Sequence, residues 1–222
     1  MFDSVILDRV FDRFEAMARD GERHAAAFGD LPELPGPDLA GALDMWEPGT
    51  RADDELIDRI GAWEKLRAWA DAGQMADIAE LVARRRAADE LERADHAARS
   101  GHGEPGHLIE FVVDEIALAA RLSRVAAAHR LDLAADLTRA LPEVFTALQS
   151  GDLDLGRARI ITDGTRGLEA DARVAVAGRV LAKAPGQTHS ALRAAVARAV
   201  HISTPSAPKS GTSETWPIAR SP

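Results

Sequence analysis

The chain has 222 residues, 46% of them hydrophobic and 28% charged, enough length and apolar content for a soluble globular fold with its own core. Its formal net charge of −9 argues against nucleic-acid binding through the overall field. The absence of cysteine excludes disulfides, zinc–thiolate sites and a thiol nucleophile, as expected of a protein in a reducing cytoplasm. The charge is unevenly spread: residues 1–100 carry 13 Lys and Arg against 23 Asp and Glu, residues 151–200 carry 8 against 5. A local arginine face can meet phosphates even where the whole molecule is acidic.

In chain order, Ser4 to Ala27 reads as an amphipathic helix with Val5, Ile6, Val10, Phe14 and Met17 on one side. Asp8, Arg9, Asp12 and Arg13 interrupt its apolar run, so it is not a secretory signal, and no stretch approaches membrane-spanning length. Residues 28–50, with Pro32, Pro35, Pro37 and Pro48, read as a linker holding at most a short helix at Leu39 to Met45. Thr50 and Asp53 resemble a capping box opening a helix from about Arg51 to Arg93, roughly 60 Å long. Its predicted stripe is Leu56, Ile60, Trp63, Leu66, Ala70, Ile78 and Val82. A rod of that length needs cover from this chain or from a second copy, so self-association through it stands as an expectation. Arg84, Arg85 and Arg86 lie among acids and read as solvated.

Ser100 to Gly106 is a Gly/Pro loop. His102, Glu104 and His107 are potential metal ligands there, but the loop's glycines supply no rigid frame and no fourth ligand is fixed nearby, so no metal site is predicted. Leu108 to Arg121 reads as a helix burying Phe111, Val112, Ile116 and Leu118, with Asp114 and Glu115 in solvent. Ser123 caps the next helix, whose apolar positions are Val125, Ala128, Leu131, Leu133, Ala134, Leu137 and Leu141. Pro142 stops it and starts a short helix that Gly151 ends, and Asp152 or Asp154 caps a third from about Leu155 through Ile161. Three short helices with two tight joints outline a compact, helix-turn-helix-like recognition segment. Glu169 to Ala184 and Thr188 to Val200 are two further helices, and the Ser/Thr/Pro-rich run from His201 reads as a tail.

Three stretches carry a resemblance. AWEKLRAWADAGQMADIAELVARR, the core from FVVDEIALAARLSRVAAAHR to LGRARIITDG, and RVAVAGRVLAKAPGQTHSALRAAVARAV resemble the actinobacterial domain of unknown function 222, the 13E12 repeat family, over about residues 1 to 200. That resemblance implies an association with an HNH endonuclease module following the helical region, and hence with DNA. The sequence contains no asparagine and no cysteine, so it holds neither the central Asn of a literal His-Asn-His module nor cysteines to brace one. It therefore reads as a member ending before the nuclease. Leu141-Pro142, Leu148, Gly151, Leu153 and Gly156-Arg157-Ala158-Arg159 are also similar to the segment after the helix-turn-helix of ParB-type partition proteins. Arg157 stands where that family has His and the preceding helix is about one turn longer, so no base-reading residue carries over.

The sequence thus predicts an all-α, multi-helix bundle with a long spine helix. It divides into an N-terminal helix and Pro-rich linker (1–50), a helical domain (51–200) and a disordered tail (201–222). The expected function is a non-catalytic helical domain of an HNH-associated family that contacts DNA weakly and salt-dependently, with Arg124, Arg130, Arg157 and Arg159 as candidate phosphate contacts. The alternative is an all-helical interaction or dimerisation module without nucleic-acid binding. No catalytic residue, cofactor or membrane partner is expected, since no P-loop, G-x-S-x-G, H-E-x-x-H or dinucleotide fingerprint is present.

Overall fold

A computed structural model describes residues 31–45, 47–50, 52–100 and 107–203. The predicted helix Ser4 to Ala27, the ligand candidates His102 and Glu104, and all but the first three residues of the predicted tail lie outside them. The elements are α1 (Pro37–Met45), a 3-10 turn (Pro48–Thr50), α2 (Asp53–Ser100), α3 (Leu108–Ala120) and α4 (Arg124–Ala135). A π-helical turn (Asp136–Ala140) extends α4, followed by α5 (Pro142–Gln149), α6 (Leu155–Thr165), α7 (Ala170–Leu181) and α8 (His189–Ser203). The described residues contain no strand, and the fold is an all-α multi-helix bundle with one long helix.

The 48 residues of α2 make a rod about 72 Å long, longer than the sequence pattern alone predicts. Three acids in its first turn, Asp53, Asp54 and Glu55, complement the positive end of the helix dipole. Glu55 also reaches back to accept from the Ala52 N–H at 3.1 Å, the half of a capping box that an alanine at the cap position permits. Two bodies pack on α2 from different sides. Near its start, Ala62 and Leu66 close over Leu39 and Leu43 of α1, and Arg59 donates to the Leu43 carbonyl at 2.9 Å. From Ala68 onward, Ala72, Met75, Ile78 and Val82 enter the main core. Ala68 follows Leu66 by only two residues, a turn of roughly 200° around the axis, so no single stripe describes the rod. This corrects the predicted stripe: Leu66, Ile78 and Val82 are buried, but Ile60 and Trp63 are 60% and 46% exposed and Ala70 faces solvent.

The joints place the remaining helices. Asp89, fully buried on α2, accepts the N–H groups of Leu108 and Ile109 at 2.9 Å each and so caps α3 from another element. Only Val112 and Ile116 of α3 are buried, since its main neighbours among the described residues are α2 and α4; Phe111 and Leu118, predicted inside, are exposed. Arg121 ends α3 in the left-handed region at φ 54°, with the Leu122 N–H bonded to the Ala117 carbonyl at 2.9 Å. Ser123 caps α4 through Ala126 N–H at 3.2 Å, as the sequence predicts, while Val125 faces solvent. In the π-turn, the Leu141 N–H bonds to the Asp136 carbonyl five residues back at 3.0 Å, before Pro142 opens α5. Gly151 follows α5 at φ 79°, where an added Cβ would stand 2.8 Å from Lys65 Cβ of α2. The close approach and the backbone conformation both call for glycine there.

Asp154 starts α6 by accepting the Arg157 N–H at 2.8 Å. This helix runs to Thr165, beyond its predicted end at Ile161, and is central: Ala158, Ile160, Ile161, Thr162 and Thr165 are buried, and α2, α5, α7 and α8 all touch it. The two threonine hydroxyls donate to the Ala158 and Ile161 carbonyls at 2.8 Å, so the core holds them without unpaired groups. An ionic bridge joins α7 to the π-turn and α6, with Arg173 2.8 Å and Arg166 3.0 Å from Asp136. Thr188 caps α8 through the Ala191 N–H at 3.3 Å, and α8 continues to Ser203, three residues past its predicted end.

Candidate functional site: the α6/α8 groove

Helices α6 and α8 make the most intimate pairing in the bundle, and glycine allows it. Gly156, Ile160 and Gly164 recur every fourth residue on α6 and so share one side. A Cβ on Gly164 would lie 2.5 Å from Val196 Cγ1 of α8, and one on Gly156 3.0 Å from His189 Cε1. Above this seam runs a groove of about 680 Å³, floored by Ile160, Val196, Ala197 and Val200 and rimmed by Arg159, His189 and Arg193. A second hollow of about 250 Å³, lined by His129, Leu133 and Arg166, lies on the other side of Arg159. Asp163 borders both hollows and is 3.5 Å from Arg166.

The four arginines singled out from sequence separate into two kinds. Arg157 is turned inward: its guanidinium pairs with Asp154 and donates to the Gln187 carbonyl from Nη2 at 2.7 Å, which ties the start of α6 to the loop before α8. Arg130, about a quarter exposed, lies 3.9 Å from Asp71 and braces α4 on α2. Arg124 is 71% exposed and 3.5 Å from Asp114, at the start of α4 and outside the groove. Arg159 is exposed and has no hydrogen-bond or ion-pair partner among the described residues.

Sequence reasoning misses Arg193, which is likewise exposed and without a partner among the described residues and faces the same groove. A signal is present: no Asp or Glu occurs between Asp171 and Glu214, so α8 displays only cationic and titratable basic groups. Nothing in that run, however, shows that α8 lies beside Arg159; only the fold does.

Local electrostatics follow from these contacts. Burial raises the Asp154 carboxyl, but hydrogen bonds from the Arg157 backbone and side chain, with the charges of Arg157 and His189, outweigh it and hold the group below its ordinary value. At Asp71 the balance is reversed: burial raises it, and the Arg130 and Arg67 charges only partly compensate. Two guanidiniums without a carboxylate partner among the described residues, at the groove's rim, are suited to hold anionic oxygens, which accept from the guanidinium fork in pairs.

Among the described residues no group of three His, Asp or Glu side chains is placed to hold a metal ion, and no helix is long and apolar enough to cross a membrane. Compared with known protein families, curated proteins and solved structures, the chain matches none.

Proposed function

We propose that this protein is a non-catalytic helical module that contacts DNA through the α6/α8 face. Arg159 and Arg193 neutralise backbone phosphates there, and Arg124 makes a secondary contact. The observation that carries this reading is the pair of exposed guanidiniums, without a partner among the described residues, on adjoining helices of which α8 bears no acid. The resemblance to the 13E12 repeat family, whose members commonly carry an HNH endonuclease module, suggests DNA as the anion. The predicted three-helix segment is present as α4, α5 and α6, but α8 lies across α6, so α6 is not a free recognition helix. Contact through a shared two-helix face reads phosphates rather than base edges. Among the described residues the groove is lined by no Phe, Tyr or Trp to serve as a stacking platform, which favours duplex over single strands.

An electrophoretic shift assay tests the proposal. The parent chain retards duplex DNA of any sequence at low salt and releases it at moderate salt, whereas the Arg159→Ala, Arg193→Ala variant does not retard it. Plasmid DNA stays intact throughout, with or without magnesium, manganese, zinc or nickel. Equal retardation by parent and variant overturns the proposed face.

One observation favours a second reading, an interaction or dimerisation module. Ile57, Ile60 and Trp63 of α2 are exposed, at 68%, 60% and 46%. A tight dimer in light scattering that dissociates on Trp63→Glu is the result that reading requires.

A further inference from the structure

The groove's chemistry is mixed, and DNA phosphates use only part of it. Arg159, Arg193 and His189 outnumber the one carboxylate at its edge, Asp163, and its floor is aliphatic, with Val196 and Val200 offering a phosphate backbone nothing to bind. An occupant that satisfies both parts needs a carboxylate beside large apolar groups. The chain supplies such a segment a short distance beyond α8, whose last turns reach the groove at Val200. After Asp171 the only side-chain carboxylate in the sequence is Glu214, and after Ser203 the only large apolar side chains are Trp216 and Ile218. All three fall within the five residues Glu214 to Ile218.

We infer that the α6/α8 groove is a docking site for this chain's own segment Glu214 to Ile218, with Trp216 over Val196 and Ala197 and Glu214 against Arg159 and Arg193. Reach permits it. The thirteen residues from Ser203 to Trp216 span up to about 40 Å when extended, and returning along α8 from Ser203 to His189 covers only about 21 Å. Tethering sets an effective concentration in the millimolar range, so a contact too weak to hold a free peptide suffices to fill the groove. Docking places Glu214 on the two arginines assigned to DNA. The consequence for DNA affinity rests on the proposed function; the docking does not.

The test uses the full chain carrying Trp46→Phe, Trp63→Phe and Trp69→Phe, so that Trp216 alone emits. Its emission is blue-shifted and quenched several-fold less by acrylamide than that of free tryptophan amide. Adding Ala197→Arg abolishes both effects while the far-ultraviolet circular dichroism is unchanged, because Ala197 is exposed and the bulk enters the groove alone. Fully quenched Trp216 in the parent, or shielding that survives Ala197→Arg, overturns the docking. On the DNA side, Glu214→Gln with Trp216→Ala tightens duplex binding several-fold, and added duplex raises quenching of Trp216. Shielded, Ala197-sensitive Trp216 in a chain that does not bind duplex supports the docking and refutes the DNA reading; duplex binding with unshielded Trp216 does the reverse.

Discussion

Asp89 fixes the start of a helix it does not belong to. It is fully buried, and both its oxygens are used on N–H groups nineteen and twenty residues further along the chain. Replacing it with alanine strands two donors at a partly buried helix end, at a cost of roughly 2–3 kcal/mol, since hydrogen bonds to charged groups are worth about 1.5–3 kcal/mol. Urea denaturation of Asp89→Ala should show that loss, with Asn recovering part of it; a loss under about 0.5 kcal/mol would mean that the cap is dispensable.

Asp154 and Asp71 make opposite expectations. The Asp154 carboxyl is held below its ordinary value, so its contribution is present above the unfolded-chain value and is lost as pH falls through the lower folded one, below about pH 4. Asp154→Asn should therefore destabilise at pH 7, with a gap to the parent that narrows in acid. For Asp71 the folded value is raised, so its ionised form is the one the fold disfavours, and stability falls as pH rises from the ordinary value through the raised one. Asp71→Asn should leave the melting temperature at pH 7 unchanged or slightly higher. A large loss there would show that its attraction to Arg130 and Arg67 outweighs burial.

At the scale of elements, legibility follows the range of the interaction. Ser123, Pro142 and Gly151 act within their own turns, and the sequence places all three at helix boundaries. The cap on α3 is not legible, because its acceptor lies on the preceding helix. Ile60 and Trp63 escape the pattern for a related reason: a helix covered from two sides shows two overlapping periodicities, and averaging them turns exposed positions inward. Phe111 and Leu118 share a helix with buried residues, but its main neighbours among the described residues, α2 and α4, leave those two positions exposed. Arg121 gives the element-scale prediction. A non-glycine residue at φ 54° carries strain of about 1 kcal/mol, so Arg121→Gly should stabilise the end of α3 by roughly 0.5–1 kcal/mol in thermal melts. A destabilised variant would show that the arginine side chain itself contributes there.

Across the whole molecule, charge and fold act together. The acidic half repels a polyanion, and the net charge of −9 keeps any DNA contact weak and local. The fold places an acid-free helix beside the exposed arginine of α6 and directs two other candidate arginines, Arg130 and Arg157, to internal partners. Composition shows the polarity, but only tertiary packing separates a bracing arginine from an exposed one. The most direct test of the α6/α8 face is the salt dependence of duplex affinity, followed by fluorescence anisotropy for the parent, Arg157→Ala, and Arg159→Ala with Arg193→Ala. Removing one phosphate-binding cation lowers the slope of log affinity against log salt by about 0.9. The double variant should therefore fall short of the parent slope by close to two units, while Arg157→Ala melts earlier but keeps the parent slope. Identical slopes for parent and double variant, or a slope that falls with Arg157 alone, would contradict the assignment of DNA contact to the α6/α8 face.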